Sequence, residues 1–291
     1  VCYPISTLYC QYIFSFFCDI FGAASGNFAN RLAMGGIRLP ILREKTIQDF
    51  TKRPIFYSGN DMKKILMITT SHNKLGDTGL QTGLWLGEFT SAYFVFTDAG
   101  FEVEVASPRG RVVPIDPASI IRGYAPPSCK RWFALNSQLL ASAKKLSQID
   151  PSQYDALFYP GGHGPMWDLR KNVHNKKIAE AFFADNRPVG AVCHGVAALL
   201  SARAASGEPV LAGRRLTGFS NAEEEIGGMK KIVPFLLEDE IKKCGANYSK
   251  SAPFCLHVVS DGSLITGQNQ VSAKFAAKAL LGVLAQKYAY A

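Results

Sequence analysis

The stretch from Lys63 to Ala106 constrains the fold more than any other part of the chain. Ile65-Leu66-Met67-Ile68 is a short, continuous apolar run behind the charged pair Lys63-Lys64. Such a run reads as a strand buried on both faces. A polar, glycine-containing loop follows from Ser71 to Gly83. Trp85, Phe89, Ala92, Tyr93 and Phe96 then recur at helical spacing, and Gly100 ends that helix. Phe101 to Ala106 alternates as a strand does. Strand, helix and strand within about forty residues require a right-handed crossover and a parallel sheet.

The alternation continues downstream. Strands are predicted at Tyr154–Tyr159, Pro188–Cys193 and Arg215–Thr217. Helices are predicted at Trp132–Leu146, Asn172–Asp185, Val196–Ala205 and Pro234–Cys244. Residues 107–150 are the least regular, and Pro108, Pro114, Pro117, Pro126 and Pro127 suggest a surface loop beside the strand ends. A hairpin-like pair at Phe254–Ser260 and Ser263–Thr266 precedes a last helix. That helix would bury Val271, Phe275, Ala279, Leu280, Val283 and Leu284. The expected fold is a doubly wound α/β sandwich: a mostly parallel sheet, helices on both faces, and ligands at the carboxyl ends of the strands.

Composition narrows the class. Hydrophobic residues at 47% and charged residues at 19% exclude a disordered or fibrous chain. The net charge of +9 is spread as short pairs such as Lys144-Lys145 and Lys230-Lys231. No basic stripe with interleaved aromatics forms, so nucleic acid is not an expected partner. Seven cysteines without a C-x-x-C pair argue against a structural zinc site and suit free thiols in a reducing, cytoplasmic setting. Residues 5–24 are aromatic-rich, are interrupted by Asp19 and lack a preceding basic region. They make a poor transmembrane helix, so stable membrane insertion is not expected. With Arg31, Arg38 and Arg43, residues 1–61 read equally as an organellar targeting segment or as an extension packing on a main domain at 62–291.

The chemistry centres on Ala191-Val192-Cys193-His194-Gly195. An apolar strand runs into Cys193 and small residues follow, the strand–nucleophile–helix order of a nucleophile elbow. A thiol facing a helix N-terminus would have its pKa lowered from about 8.5 toward neutrality. A buried structural cysteine is the alternative. His194 is a base candidate, and Glu223, Glu224 and Glu225 supply acids that would orient it. A run of three acids is otherwise a solvated helix face. Glu88 falls on the apolar side of its helix. Burial there would raise its pKa and make it an acid or base near neutral pH. Gly161-Gly162-His163-Gly164 follows a strand, and its backbone N–H groups, with that of His194, would form an oxyanion site. It matches neither dinucleotide nor P-loop spacing. His163, His72 and His257 make no spaced metal set, so no metal and no cofactor is expected.

Four segments in order are recognisable together. They are Glu88 within GLWLGEFTSAYFVFTDAGFEVEVASPRG, Gly161–Asp168 as GGHGPMWD, Cys193 within GAVCHG, and GFSNAEEE at 218–225. They resemble the ThiJ/PfpI superfamily, most of all its heat-shock chaperone and glutathione-independent glyoxalase branch. The resemblance spans about residues 62–288 and leaves 1–61 uncovered. It implies a flavodoxin-like sandwich, commonly a homodimer. It also implies a nucleophile at Cys193, a histidine at His194, a supporting acid at Glu224 with Glu223 still open, and a carboxylate at Glu88 contacting the thiol. The implied activity converts methylglyoxal to lactate without glutathione or metal, with deglycase or holding-chaperone roles in some members. The alternatives are a PfpI-type cysteine peptidase or amidohydrolase, or a non-enzymatic chaperone or redox sensor. A glutaminase would want a later His-x-Glu, and His257 is followed by Val258 and Val259.

Overall fold

A computed structural model describes residues 63–121, 125–135 and 137–289. The readings of residues 1–61 lie outside it. Strand β1 (Lys64–Ile68) leads through helix α1 (Leu86–Thr97) to β2 (Glu102–Ser107). Then come α2 (Pro127–Ala134), β3 (Lys144–Lys145), β4 (Ala156–Tyr159), the short α3 (Pro165–Asp168), α4 (Val173–Ala184) and β5 (Val189–Val192). A 3₁₀ segment, Cys193–Leu199, follows β5 directly. The chain continues with β6 (Arg215–Leu216), α5 (Asn221–Ile226), α6 (Leu237–Lys243), β7 (Asn247–Tyr248), β8 (Val258–Asp261), β9 (Leu264–Gly267) and α7 (Ala273–Ala289).

Seven strands form one sheet in the order β3-β2-β1-β4-β5-β9-β8. Every pairing is parallel except β8 with β9. The order runs one way from β1 to β2 and the other way from β4 to β5. Right-handed crossovers therefore place α1 and α4 on opposite faces. Helix α7 packs on α1 and against β5 and β9. The central strands read as the sequence implied: Ile65 to Ile68, Ala156 to Tyr159 and Val189 to Val192 are wholly buried. The direction change between β1 and β4 opens a crevice at their carboxyl ends, where an open α/β sheet takes its ligands.

Several expectations need correction. The helix expected at Trp132–Leu146 is α2, seated earlier, because Pro127 holds its first turn where a proline ring is preorganised for helix. Lys144 and Lys145 instead extend the sheet edge beside Ala106 and Ser107. The helix expected at Val196–Ala205 is the shorter 3₁₀ segment, which begins at Cys193 itself. Gly195 lets it press on the end of β4, since a Cβ there would stand 2.4 Å from the Tyr159 carbonyl oxygen. The strand at Arg215 pairs with β7 in a separate two-stranded sheet. The buried face of α7 is Ala273, Ala276, Ala277, Leu280 and Leu284, and Phe275 is exposed. Three of these five are alanines, small side chains whose packing role a hydrophobicity pattern under-weights.

No helix among the described residues is long and apolar enough to cross a membrane.

Candidate active site

The crevice brings together residues from three strand ends. Cys193 leaves β5 with φ 55°, in the left-handed region, although it is not glycine. That conformation costs on the order of 1 kcal/mol or more and persists only where the surroundings impose it. Here the abrupt change from β5 into the 3₁₀ turn imposes it. Cys193 is 4% exposed and its Sγ lies 3.3 Å from Nδ1 of His194. On the other side of that ring, Nε2 of His194 lies 2.5 Å from Oε1 of Glu224.

These contacts fix the histidine's proton. A carboxylate only accepts, so Nε2–H of His194 donates to Glu224. Burial, then the neighbouring His163, push the His194 pKa down to about 4, so the ring is neutral. Its Nδ1 is therefore left as an acceptor aimed at the thiol. Burial disfavours the Glu224 carboxylate, but His194 and His163 outweigh it and bring its pKa to about 2. The His194 ring is also clamped. His163 stands 4.2 Å away, centroid to centroid, and Phe219 4.3 Å away.

Glu88 arrives from the first turn of α1, wholly buried. Its Oε2 accepts the Gly161 N–H at 2.7 Å, while Oε1 has no hydrogen-bond partner among the described residues. Burial dominates and raises its pKa to about 7, against the lowering effects of Gly161, Cys193 and His163. The expected lowering of the Cys193 thiol does not occur. Burial and then the Glu88 carboxylate push it well up. A seven-residue 3₁₀ turn follows the sulfur instead of an α-helix, which removes the premise of that expectation. The thiol and Glu88 oppose each other's charge, so the pair favours holding one proton between them. Protonation of Glu88 removes the repulsion that disfavours the thiolate.

The oxyanion expectation also changes. The Gly161 N–H already serves Glu88, so it is not a free donor in this arrangement. Gly161 is instead the spacer of the site: a Cβ there would meet Cys193 Cβ at 2.8 Å, Glu88 Oε2 at 2.9 Å and His194 N at 2.9 Å. Gly162 follows with φ 90°. His163 is buried with its Nε2 3.5 Å from Oε2 of Glu224. Burial opposes charge on His163, but Glu224, Asp116 and Glu88 together outweigh it and raise its pKa.

Glu223 and Glu224 are both buried at the start of α5 and face different ways. Glu223 accepts from Ser220 N–H and Oγ–H, Phe254 N–H and Asn269 Nδ2–H, all within 2.8 Å. It ties the loop around Phe254 to the base of α5. Glu224 alone of the two reaches His194. Glu225 is exposed and pairs with Lys230.

Of the three histidines compared in the sequence, His72 stacks on Trp167 and His257 bonds Ser249. His163 joins His194 and Glu224, with one donor atom from each within 4.8 Å of the others. This set of possible metal ligands escapes sequence spacing, because it is assembled from the ends of β4 and β5 and from α5. Asp116, within the proline-rich stretch, carries no local sequence signal. It is buried, held by Thr82 Oγ1–H at 2.8 Å and Ala118 N–H at 2.9 Å, and its charge acts on His163. Phe219 was in view only as part of a motif.

The model of the DJ-1/PfpI family matches residues 82–281. Glyoxalase 3 of Candida albicans is 32% identical over 223 residues, covering 73% of this chain and 94% of its own. The crystal structure of glyoxalase III from Candida albicans superposes with a TM-score of 0.70 at 30% identity, over 76% of this chain and 97% of that one. Rapid Encystment Protein 24 KDa of Francisella tularensis superposes with a TM-score of 0.74 at 36% identity, over 77% and 99%. The matched span exceeds half the chain, and the relatives agree along nearly their whole length. The chain belongs to the DJ-1/PfpI family.

Proposed function

We propose that this protein is a glutathione-independent glyoxalase that converts a small 2-oxoaldehyde such as methylglyoxal to its 2-hydroxy acid, here lactate. The observation that carries this reading is the position of the Cys193 thiol between two proton-transfer groups: Nδ1 of His194 at 3.3 Å and the Glu88 carboxyl, whose pKa lies near 7. Relatives named glyoxalase add support. On this reading the turn at Cys193 is a nucleophile elbow.

The thiol proton passes to His194, and the imidazolium that forms is held by Glu224. The sulfur forms a bond to the aldehyde carbon, and the oxygen of that carbon takes up a proton to complete a hemithioacetal. The His194 N–H and the turn at Gly161-Gly162-His163 line the space for that oxygen. Glu88, as carboxylate, removes the proton from the former aldehyde carbon, and the hydroxyl proton of that carbon passes through His194 to the neighbouring ketone oxygen, giving the enediol in its anionic form. Glu88 returns its proton to the neighbouring carbon. The former aldehyde carbon is now a thioester on Cys193. Water cleaves it, releasing the hydroxy acid and restoring the thiol. One carbon is oxidised as its neighbour is reduced, so the sum consumes only water and needs no external redox carrier.

The reaction is assigned to the domain at 62–291, working as a homodimer, with 1–61 outside it. The test is purified full-length protein with methylglyoxal and no glutathione. Lactate is expected, and its absence removes the reading.

A further inference from the structure

The His163–His194–Glu224 cluster offers more than a proton relay. Both imidazole rings turn Nε2 toward one carboxylate, with His194 at 2.5 Å from Oε1 and His163 at 3.5 Å from Oε2. One donor atom from each residue lies within 4.8 Å of the others. Two imidazole nitrogens and one carboxylate oxygen are a ligand set that borderline-soft zinc prefers and that leaves its fourth position open. Bonds of about 2.0–2.2 Å would need each donor atom to move by less than about 1 Å. All three side chains are at least nine-tenths buried, so few water contacts compete for these ligands. The negative charge of Asp116 also acts on His163 and favours a cation there.

We propose that His163, His194 and Glu224 form a binding site for one zinc ion, and that its occupation switches off the Cys193–His194 pair. The second half rests on the glyoxalase reading. Zinc on Nε2 of His194 moves the proton of the neutral ring to Nδ1. That nitrogen then faces Cys193 as a donor and can no longer accept the thiol proton. Zinc also takes Glu224 from the imidazolium that it would otherwise hold. The same three residues therefore serve either the metal or the reaction.

The test uses the full chain, stripped with a chelator and kept reduced. Zinc is titrated in competition with a chromophoric chelator into wild type, Cys193→Ala and His163→Gln. Wild type and Cys193→Ala are expected to take up one equivalent, unaffected by excess magnesium, that His163→Gln lacks. Circular dichroism checks that His163→Gln is folded, and Glu224→Gln is the second variant that must lose the same equivalent. Equal uptake by wild type and the folded ligand variants overturns the site. So does loss of the equivalent in Cys193→Ala, which would place the metal on the thiol. With the site filled, lactate formation by wild type is expected to fall at least tenfold and to return on chelation, and a change under twofold overturns the switch. A protein that makes no lactate at all, yet loses the equivalent in His163→Gln, retains the zinc site and removes the glyoxalase reading instead.

Discussion

The Sγ of Cys193 lies 3.3 Å from Nδ1 of His194, its neighbour in the chain, because the positive φ of Cys193 turns the backbone sharply at the end of β5. Adjacent residues rarely face one another. Here one turn brings a thiol and an imidazole acceptor face to face, the pair proposed above as nucleophile and base.

Glu224 holds the tautomer that leaves Nδ1 free to accept. Glu224→Gln keeps the size of the side chain but removes the charge that stabilises the imidazolium. Lactate formation is expected to fall by on the order of 10²–10⁴-fold, in kcat more than in KM. Steady-state kinetics with methylglyoxal check this, and a loss under threefold would remove Glu224 from the relay.

Glu88 makes a pH-dependent contribution with a definite sign. Its pKa rises from the ordinary carboxyl value of 4.5 to about 7 on folding, so the folded state binds the proton more tightly than the unfolded chain does. The burial is without charge cost at pH below about 4.5 and costs stability progressively as pH rises to about 7, on the order of 3 kcal/mol in full. Glu88→Gln is expected to be the more stable protein at pH 8 and to lose less stability between pH 5 and pH 8. Chemical denaturation at the two pH values measures the difference, and parallel curves for the two proteins contradict it.

The same group shapes the rate. With Glu88 as the base toward carbon, kcat/KM is expected to rise through pH about 7 and then level. In Glu88→Gln that inflection disappears and the rate drops on the order of 10²-fold or more. An unchanged inflection in the variant assigns it to another group.

Gly161 is a steric prediction. An added Cβ meets Cys193, Glu88 and the His194 backbone, all below 3.0 Å. Gly161→Ala is expected to cost about 1–3 kcal/mol of stability and to displace the thiol from Glu88, lowering activity even where the protein stays folded. Thermal melts and kinetics on the same preparation separate the two effects. A folded variant with wild-type kinetics would show that the spacing does not matter.

The sequence made the parallel sheet legible, because Ile65–Ile68 and Val189–Val192 are continuous apolar runs that only a doubly covered sheet buries. It also made Glu88 legible, as a carboxylate on an apolar helix face. Local spacing could not resolve α2, where the prolines that suggested loop include the one that starts the helix. Nor could it resolve the partners of Gly161 or the meeting of His163 with Glu224, since these depend on β4 and β5 converging with α1 and α5. The upward shift of the Cys193 thiol has the same tertiary origin. The helix dipole is a local inference, while burial and Glu88 are tertiary facts.

In the proposed reaction Cys193 carries the substrate. The direct measurement is lactate formed from methylglyoxal without glutathione, wild type against Cys193→Ala, with both proteins shown to be folded. The account requires lactate from wild type and none above the uncatalysed background from Cys193→Ala. Equal lactate from the two proteins would contradict it.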